Sequence, residues 1–336
     1  MDVKNYWIGG VIMSNYKLYI CTTDSCNLAC KGCYKTLFSR PSFIDLDKVK
    51  SYILSFLRTS ESDTLECVFH GGEPFLYKDK LQDYINLIDF CKSGRITWSA
   101  TTNLMYEITD MHLDLFNRFD FKFLKTSWDV DDYRFTTKEQ LELWEKNVKL
   151  LLEKEFIVQP IVTVNTQTIK HDPRELLEYF KSFGIRIVNF ERITETGRAA
   201  KVKVKPTNRE IDEWLYKAYL ISKELDIVIP LFNELEHALT DGFIGCRKRQ
   251  CMKNVRTLNT DGSIGACPNC SDICITDKYG KYQEENEHYL LDMENELPIK
   301  CKFCEFYKIC HGDCCQLKWD ETGCPGLTLI YKDLLK

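Results

Sequence analysis

No apolar run in this 336-residue chain approaches the ~20 residues a helix needs to cross a bilayer. The opening Met1-Asp2-Val3-Lys4-Asn5-Tyr6-Trp7 also lacks the charged start and apolar core of a signal peptide, so a cytoplasmic chain is expected. Basic excess is missing: 45 Lys and Arg stand against 50 Asp and Glu, a net charge of -5, and no basic stripe offers itself to phosphates. Neither nucleic acid nor membrane is therefore expected as a partner. No internal repeat or low-complexity tract is present, and no cysteine lies between Cys91 and Cys246.

Elsewhere cysteine is abundant. Seventeen in a cytoplasmic chain call for a reason, because a reducing compartment disfavours disulfides and leaves metal binding or catalysis. Four fall between Cys21 and Cys33 and eleven between Cys246 and Cys324, which implies two metal-binding regions around an ordinary folded segment. Cys21, Cys67 and Cys91 sit in strand or helix patterns and read as core residues.

Strand patterns cover residues 18–21, 65–69, 96–100, 121–125, 157–162 and 185–190, with Pro160 predicting a bulge or a weak strand in the fifth. Apolar residues recur at three- and four-residue spacing over 46–57, 81–90, 141–152 and 176–183, the crossover helices between them. Six such units are too few to close an eight-fold barrel. The expected fold is α/β, a partial (β/α)6 barrel over 1–200, followed by a helical linker over 201–245 with a helix at about 208–225. Residues 246–336 are short Gly- and Cys-rich pieces that bury too little to fold without metal.

Cys26, Cys30 and Cys33, spaced x3 and x2, lie on one loop just after the first strand, the end of the sheet where barrels carry their chemistry. Three thiolates leave one iron of a four-iron cluster open to a further ligand. Zinc would want a fourth ligand, and this is not a usual zinc-ribbon spacing. The second strand ends in His70-Gly71-Gly72-Glu73-Pro74, where two glycines permit close backbone approach and Glu73 offers an acceptor for an ammonium.

Together these segments resemble the radical S-adenosylmethionine superfamily. The resemblance implies a [4Fe-4S] cluster on Cys26, Cys30 and Cys33 and cofactor contacts from Tyr34, Gly71, Gly72, Glu73, Asn103, Ser127 and Arg134. The implied chemistry is reductive cleavage of the cofactor to a 5'-deoxyadenosyl radical that takes hydrogen from substrate, the electron coming from a flavodoxin or ferredoxin. Glu191 to Ala199 resembles the family's barrel-exit segment, with the roles of Glu191 and Arg192 open.

Cys251, Gly262 and Cys267, then Cys301-x2-Cys304-x5-Cys310-x3-Cys314 and Cys324, match the spacing of the SPASM domain of peptide-modifying and sulfatase-maturing members. With Cys246, eight thiolates suffice for two further [4Fe-4S] clusters, three clusters in all. By that analogy Cys246, Cys251, Cys267 and Cys314 hold the first and Cys301, Cys304, Cys310 and Cys324 the second. Cys270, Cys274 and Cys315 stay unassigned as small buried hydrophobes or a hydrogen-atom donor, with Cys270, paired in Cys267-Pro268-Asn269-Cys270, also a candidate replacement for one of the assigned ligands. The resemblance implies oxidation or cross-linking of a ribosomally made precursor peptide or protein, as in RiPP maturation. Alternatives are formylglycine formation on a sulfatase, peptide epimerisation, small-molecule dehydrogenation and a metal-stapled binding module, and no catalytic base is identified. Only about sixteen residues precede the first strand, fewer than a leader-binding module of about eighty would need.

Overall fold

The computed structural model describes residues 16–35, 41–60, 62–240, 251–270 and 272–336. Six parallel strands run in chain order across one open sheet: β1 Tyr16–Thr23, β2 Leu65–Gly71, β3 Ile96–Thr102, β4 Phe123–Trp128, β5 Ile157–Val164 and β6 Asn189–Arg192. Their connections carry helices α1 Leu46–Thr59, α2 Leu81–Phe90, α3 Asp110–Phe116, α4 Lys138–Glu153 and α5 Pro173–Ser182. The expected partial barrel is observed. Period-two alternation decides which face each strand shows. Leu18, Ile20, Cys67, Phe69, Trp98 and Ala100 are buried in the main core, so Lys17, Tyr19, Glu66, His70 and Ser99 face the concave side.

Pro160 makes no bulge. Its register to Thr126 is regular, and β6 pairs only from Ile161 onward, so at Pro160 the strand has a neighbour on one side alone. The sixth strand is shifted from the expected 185–190. Its ladder partners are Ile161 to Val164 of β5, opposite 189–192, while the preceding turn is covered by Val188 N–H donating to Val228 (3.0 Å) and Val228 N–H to Arg186 (2.8 Å).

The linker contains α6 Asn208–Leu225, opened by a capping box between Thr207 and Glu210, and α7 Pro230–Thr240, which the sequence reading did not separate. Helix α6 joins the barrel to the Cys-rich region. Ile211, Leu215 and Tyr219 share the barrel's core, Asn208 Nδ2 donates to Lys318 (3.0 Å) and Gly323 (2.9 Å), and Asp212 accepts from Thr328 (2.6 Å).

The Cys-rich region does not stand apart. Its hairpin, β7 Val255–Leu258 and β8 Ile264–Gly265 with β9 Cys274–Thr276, extends the main sheet because β7 pairs parallel with β1 from Lys17 to Ile20. Phe306, Ile309, Leu327 and Ile330 belong to the barrel's core. A second, small core of Met252, Ala266, Cys270, Ile275 and Leu290 packs against Cys267. Among the described residues no helix is long and apolar enough to cross a membrane.

Candidate functional site

The loop carrying Cys26, Cys30 and Cys33 leaves β1 and is gripped from three sides. From β2, Gly72 N–H donates to Thr23 (2.7 Å) and Glu73 N–H to Ser25 (2.8 Å). The contact needs glycine: Gly71 has φ +131, and a Cβ on Gly72 would fall 2.0 Å from the Ser25 carbonyl oxygen. From β3, Asn103 Nδ2 donates to Asn27 Oδ1 (2.9 Å) and lies 3.6 Å from Cys26 Sγ, while Asn27 Nδ2 donates to the Met105 carbonyl (2.5 Å). From beyond β4, Lys31 N–H donates to Tyr133 (3.1 Å), and the Tyr133 phenol fills the space above Gly32. The barrel-exit segment closes over the top, with Arg198 N–H on the Cys33 carbonyl (2.8 Å) and Arg198 Nη1 on that of Cys30 (3.1 Å).

Glu73 is buried and already engaged. Its Oε1 accepts from Thr102 Oγ1 (2.7 Å) and Phe75 N–H (3.3 Å), and Oε2 from Asn103 N–H (2.6 Å). Burial raises its carboxyl to about 7 against the pull of those donors. The side chain thus braces the ends of β2 and β3 against each other, beside the half-buried Gly71 and Gly72, whose N–H groups are taken by His70 and Thr23. Tyr34 Oη sits 2.7 Å from His70 Nδ1, which also accepts from Gly71 N–H (2.9 Å). Nδ1 is therefore the unprotonated nitrogen, consistent with burial lowering the imidazole to about 3. Ser127 faces the concave side, since its neighbour Trp128 packs edge-on to Phe180 of α5 at 5.0 Å. Arg134 is half-buried, with Nε on Asp129 Oδ2 (2.7 Å) and Nη1 on Cys30 Sγ (3.3 Å).

The donor set fits an iron–sulfur cluster. Three thiols lie on one loop, and N–H groups are directed at their sulfurs: Leu28 N–H to Cys26 Sγ at 3.4 Å, besides Asn103 and Arg134. Burial pushes the Cys26 thiol up to about 12 and raises that of Cys30, the Arg134 guanidinium opposing the latter. Metal binding would displace those protons. The buried Tyr133 hydroxyl has no hydrogen-bond partner, a deficit that a ligand beside this loop would relieve. Among the described residues no three His, Cys, Asp or Glu surround a point for a single ion.

The sequence reading missed a charged group on the concave face. Glu66 accepts from Ser99 (2.8 Å) and pairs with Lys17 (2.9 Å) and Lys125 (3.3 Å). Burial opposes its charge, yet Lys125 and Lys17 hold it well below the usual carboxylate range. The signal was available: each charge alternates with core apolar residues in its own strand.

In the C-terminal region Cys251, Cys267, Cys270, Cys314 and Cys315 line one cavity. Cys310 and Cys324 come together at Gly326, where an added Cβ would lie 3.4 and 3.6 Å from their sulfurs, and Cys304 is within electrostatic reach of Cys324. Cys304 N–H donates to the Cys301 carbonyl (3.2 Å). Cys246 lies outside the described residues. Cys267 is in electrostatic reach of Tyr19 and Tyr34, so the first group borders the barrel's concave face. At the loop's other edge Thr260 donates to Asp24, tying the β7–β8 turn to the start of the Cys26 loop.

Gly72→Ala is expected to weaken the S-adenosylmethionine binding that the sequence resemblance implies by about tenfold or more, a loss of about 1.4 kcal/mol or beyond, because the loop must withdraw from Ser25. Gly94→Ala, at a position with open space around it, is the control. Equilibrium binding to the cluster-loaded protein checks this, and equal affinities would show that the close approach is dispensable.

No family model matches the chain, and no curated protein does. Solved structures do. Native anSMEcpe with bound AdoMet, an anaerobic sulfatase maturase, superposes with a TM-score of 0.76 at 17% identity, covering 95% of this chain and 96% of that one. Streptococcus suis SuiB bound to precursor peptide SuiA gives 0.60 at 17% identity over 89% of this chain and 71% of the other. The chain therefore has the fold of radical S-adenosylmethionine enzymes with a SPASM-like C-terminal region.

Proposed function

We propose that the protein is a radical S-adenosylmethionine enzyme that oxidises a side chain of a ribosomally made peptide. The observation that carries this reading is the Cys26–Cys30–Cys33 loop, held at the mouth of an open barrel by Gly72, Asn103 and Arg134, with a second set of converging thiols beside the same face. When bound, the cluster and S-adenosylmethionine supply a 5'-deoxyadenosyl radical that removes a hydrogen atom from substrate. The chain's own residues bind, orient and screen. Gly71 and Gly72 present backbone groups to the methionine amino group. Arg134, ion-paired through Nε, has Nη2 left for a carboxylate, and Ser127 and the Tyr34 backbone border the nucleoside.

We assign residues 1–200 to the barrel, 201–245 to the linker and 246–336 to the auxiliary cluster region. Cys251, Cys267 and Cys314 serve the first auxiliary cluster, and Cys301, Cys304, Cys310 and Cys324 the second. An oxidation needs an exit for its second electron, and a thiol group bordering the concave face gives it one. The sheet ends openly at β6, which leaves room at its edge for an extended peptide. An external flavodoxin or ferredoxin supplies the first electron.

Co-expression with a short precursor encoded beside the gene tests the reading. The expected result is a peptide lighter by about two mass units, the hydrogens lost in a two-electron oxidation. An unchanged mass with solvent deuterium incorporated would mean epimerisation, and turnover of a free sugar or amine alone would overturn the peptide reading. A second reading, formylglycine formation on a sulfatase, is supported by the nearly complete two-way coverage with anSMEcpe. Its product aldehyde reacts with hydrazide probes, and a cross-linked peptide does not.

A further inference from the structure

We infer that Cys270 supplies the fourth thiolate of the first auxiliary cluster, completing a set with Cys251, Cys267 and Cys314. The inference rests on the reading above that this region holds iron–sulfur clusters. It departs from the expectation that Cys246 fills the position.

Three chain segments bring four sulfurs to one cavity: Cys251 before β7, Cys267 and Cys270 after β8, and Cys314 near the C-terminus. Cys267-Pro268-Asn269-Cys270 forms a tight turn closed by Cys270 N–H on the Cys267 carbonyl (2.8 Å). The Cys270 thiol lies in electrostatic reach of both Cys267 and Cys314. Met252, Ala266 and Leu290 are buried around it, while Glu294 and Gln316 add polar groups to the wall, the Gln316 amide hydrogen-bonding to the Cys270 thiol. This core is small, and metal ligation would add stabilisation to that which the region draws from the barrel's sheet and core.

The other spare cysteines are placed differently. Cys315 also lines the cavity, but its thiol is hydrogen-bonded to that of Cys314. Two sulfurs in contact cannot occupy two separate corners of a cubane. Cys274, on β9, donates to Ser263 Oγ (3.2 Å) and accepts from Asn259 Nδ2 (3.4 Å), and it is absent from the cavity wall. Ligation by Cys270 breaks its S–H bond, forms an S–Fe bond and releases the proton to solvent.

The test is the iron content of the full chain after anaerobic reconstitution. Wild type is expected to hold about twelve irons, Cys270→Ala about eight, and Cys246→Ala and Cys315→Ala about twelve. Alanine suits a small apolar core, so a merely packed Cys270 would tolerate the change with its iron retained. The EPR signal that responds to added S-adenosylmethionine reports the Cys26 loop separately. It should persist in Cys270→Ala, which shows that the variant is folded. Full iron in Cys270→Ala, or an equal fall in Cys246→Ala, would overturn the inference. Wild type holding only about four irons would instead overturn the auxiliary-cluster reading on which it rests.

Discussion

Replacing Cys26, Cys30 and Cys33 together by alanine is expected to abolish 5'-deoxyadenosine formation from S-adenosylmethionine under dithionite, while about eight of about twelve irons remain. The reasoning is local. All three sulfurs sit on one loop, and the hydrogen bonds that fix the loop run mainly through backbone groups, Gly72 N–H to Thr23, Glu73 N–H to Ser25 and Lys31 N–H to Tyr133, which the substitutions leave intact. Loss of the thiols should therefore remove the metal without unseating the loop. The C-terminal thiols belong to a different part of the sheet and should keep theirs. Two measurements separate the outcomes, chromatographic assay of 5'-deoxyadenosine and iron per chain. Continued cleavage by the triple variant would exclude these cysteines as the site. Loss of all iron would show that the two regions fold and load as one unit.

Much of this arrangement was legible in the sequence because its signals are local. Helices at 81–90 and 208–225 end where their periodicity ends, and the order of six strands follows from alternation between strand and helix. Long-range pairing left no such trace. Nothing in Val255–Leu258 announces that it will lie beside Lys17–Ile20, so the Cys-rich region reads as a separate unit although it extends the barrel's sheet. The same limit applies to side chains. The family resemblance makes Asn103 a cofactor contact, and the folded chain adds a second role its sequence does not announce, its amide meeting Asn27 and Met105 and holding the cysteine loop. Glu73 reads as an acceptor for an ammonium, and in the fold its carboxylate also accepts from Thr102 and from the Asn103 N–H. A motif specifies which residues meet at a strand end, and the fold decides which of their atoms remain available.

The largest stability effect is expected from Asp313→Ala. Arg192, the last residue of β6, makes a bidentate pair with Asp313 at 2.7 and 2.8 Å, and its Nη1 also donates to the Pro325 carbonyl (2.7 Å). Both side chains are buried, at 8% and 1% exposure, so removing the carboxylate strands a guanidinium that has no water to turn to. Breaking such a pair from one side costs about 3–5 kcal/mol. Asp313 also holds a left-handed backbone with φ +57, which an alanine adopts at a further cost of about 1–2 kcal/mol. The position links function to fold, because Asp313 lies between Cys310 and Cys314, whose N–H donates to its Oδ1 at 2.7 Å. Urea unfolding of the cluster-loaded chain, followed by tryptophan fluorescence, should show a large fall in midpoint. Asp313→Asn keeps an acceptor and tolerates the backbone, so it should fall less. The double replacement Arg192→Met with Asp313→Leu removes both charges and should recover part of the loss, though not the backbone contribution. If Asp313→Ala shifts the midpoint no more than an exposed substitution would, about 0.5 kcal/mol, then the barrel and the Cys-rich region are held together by their shared apolar core and not by this ion pair.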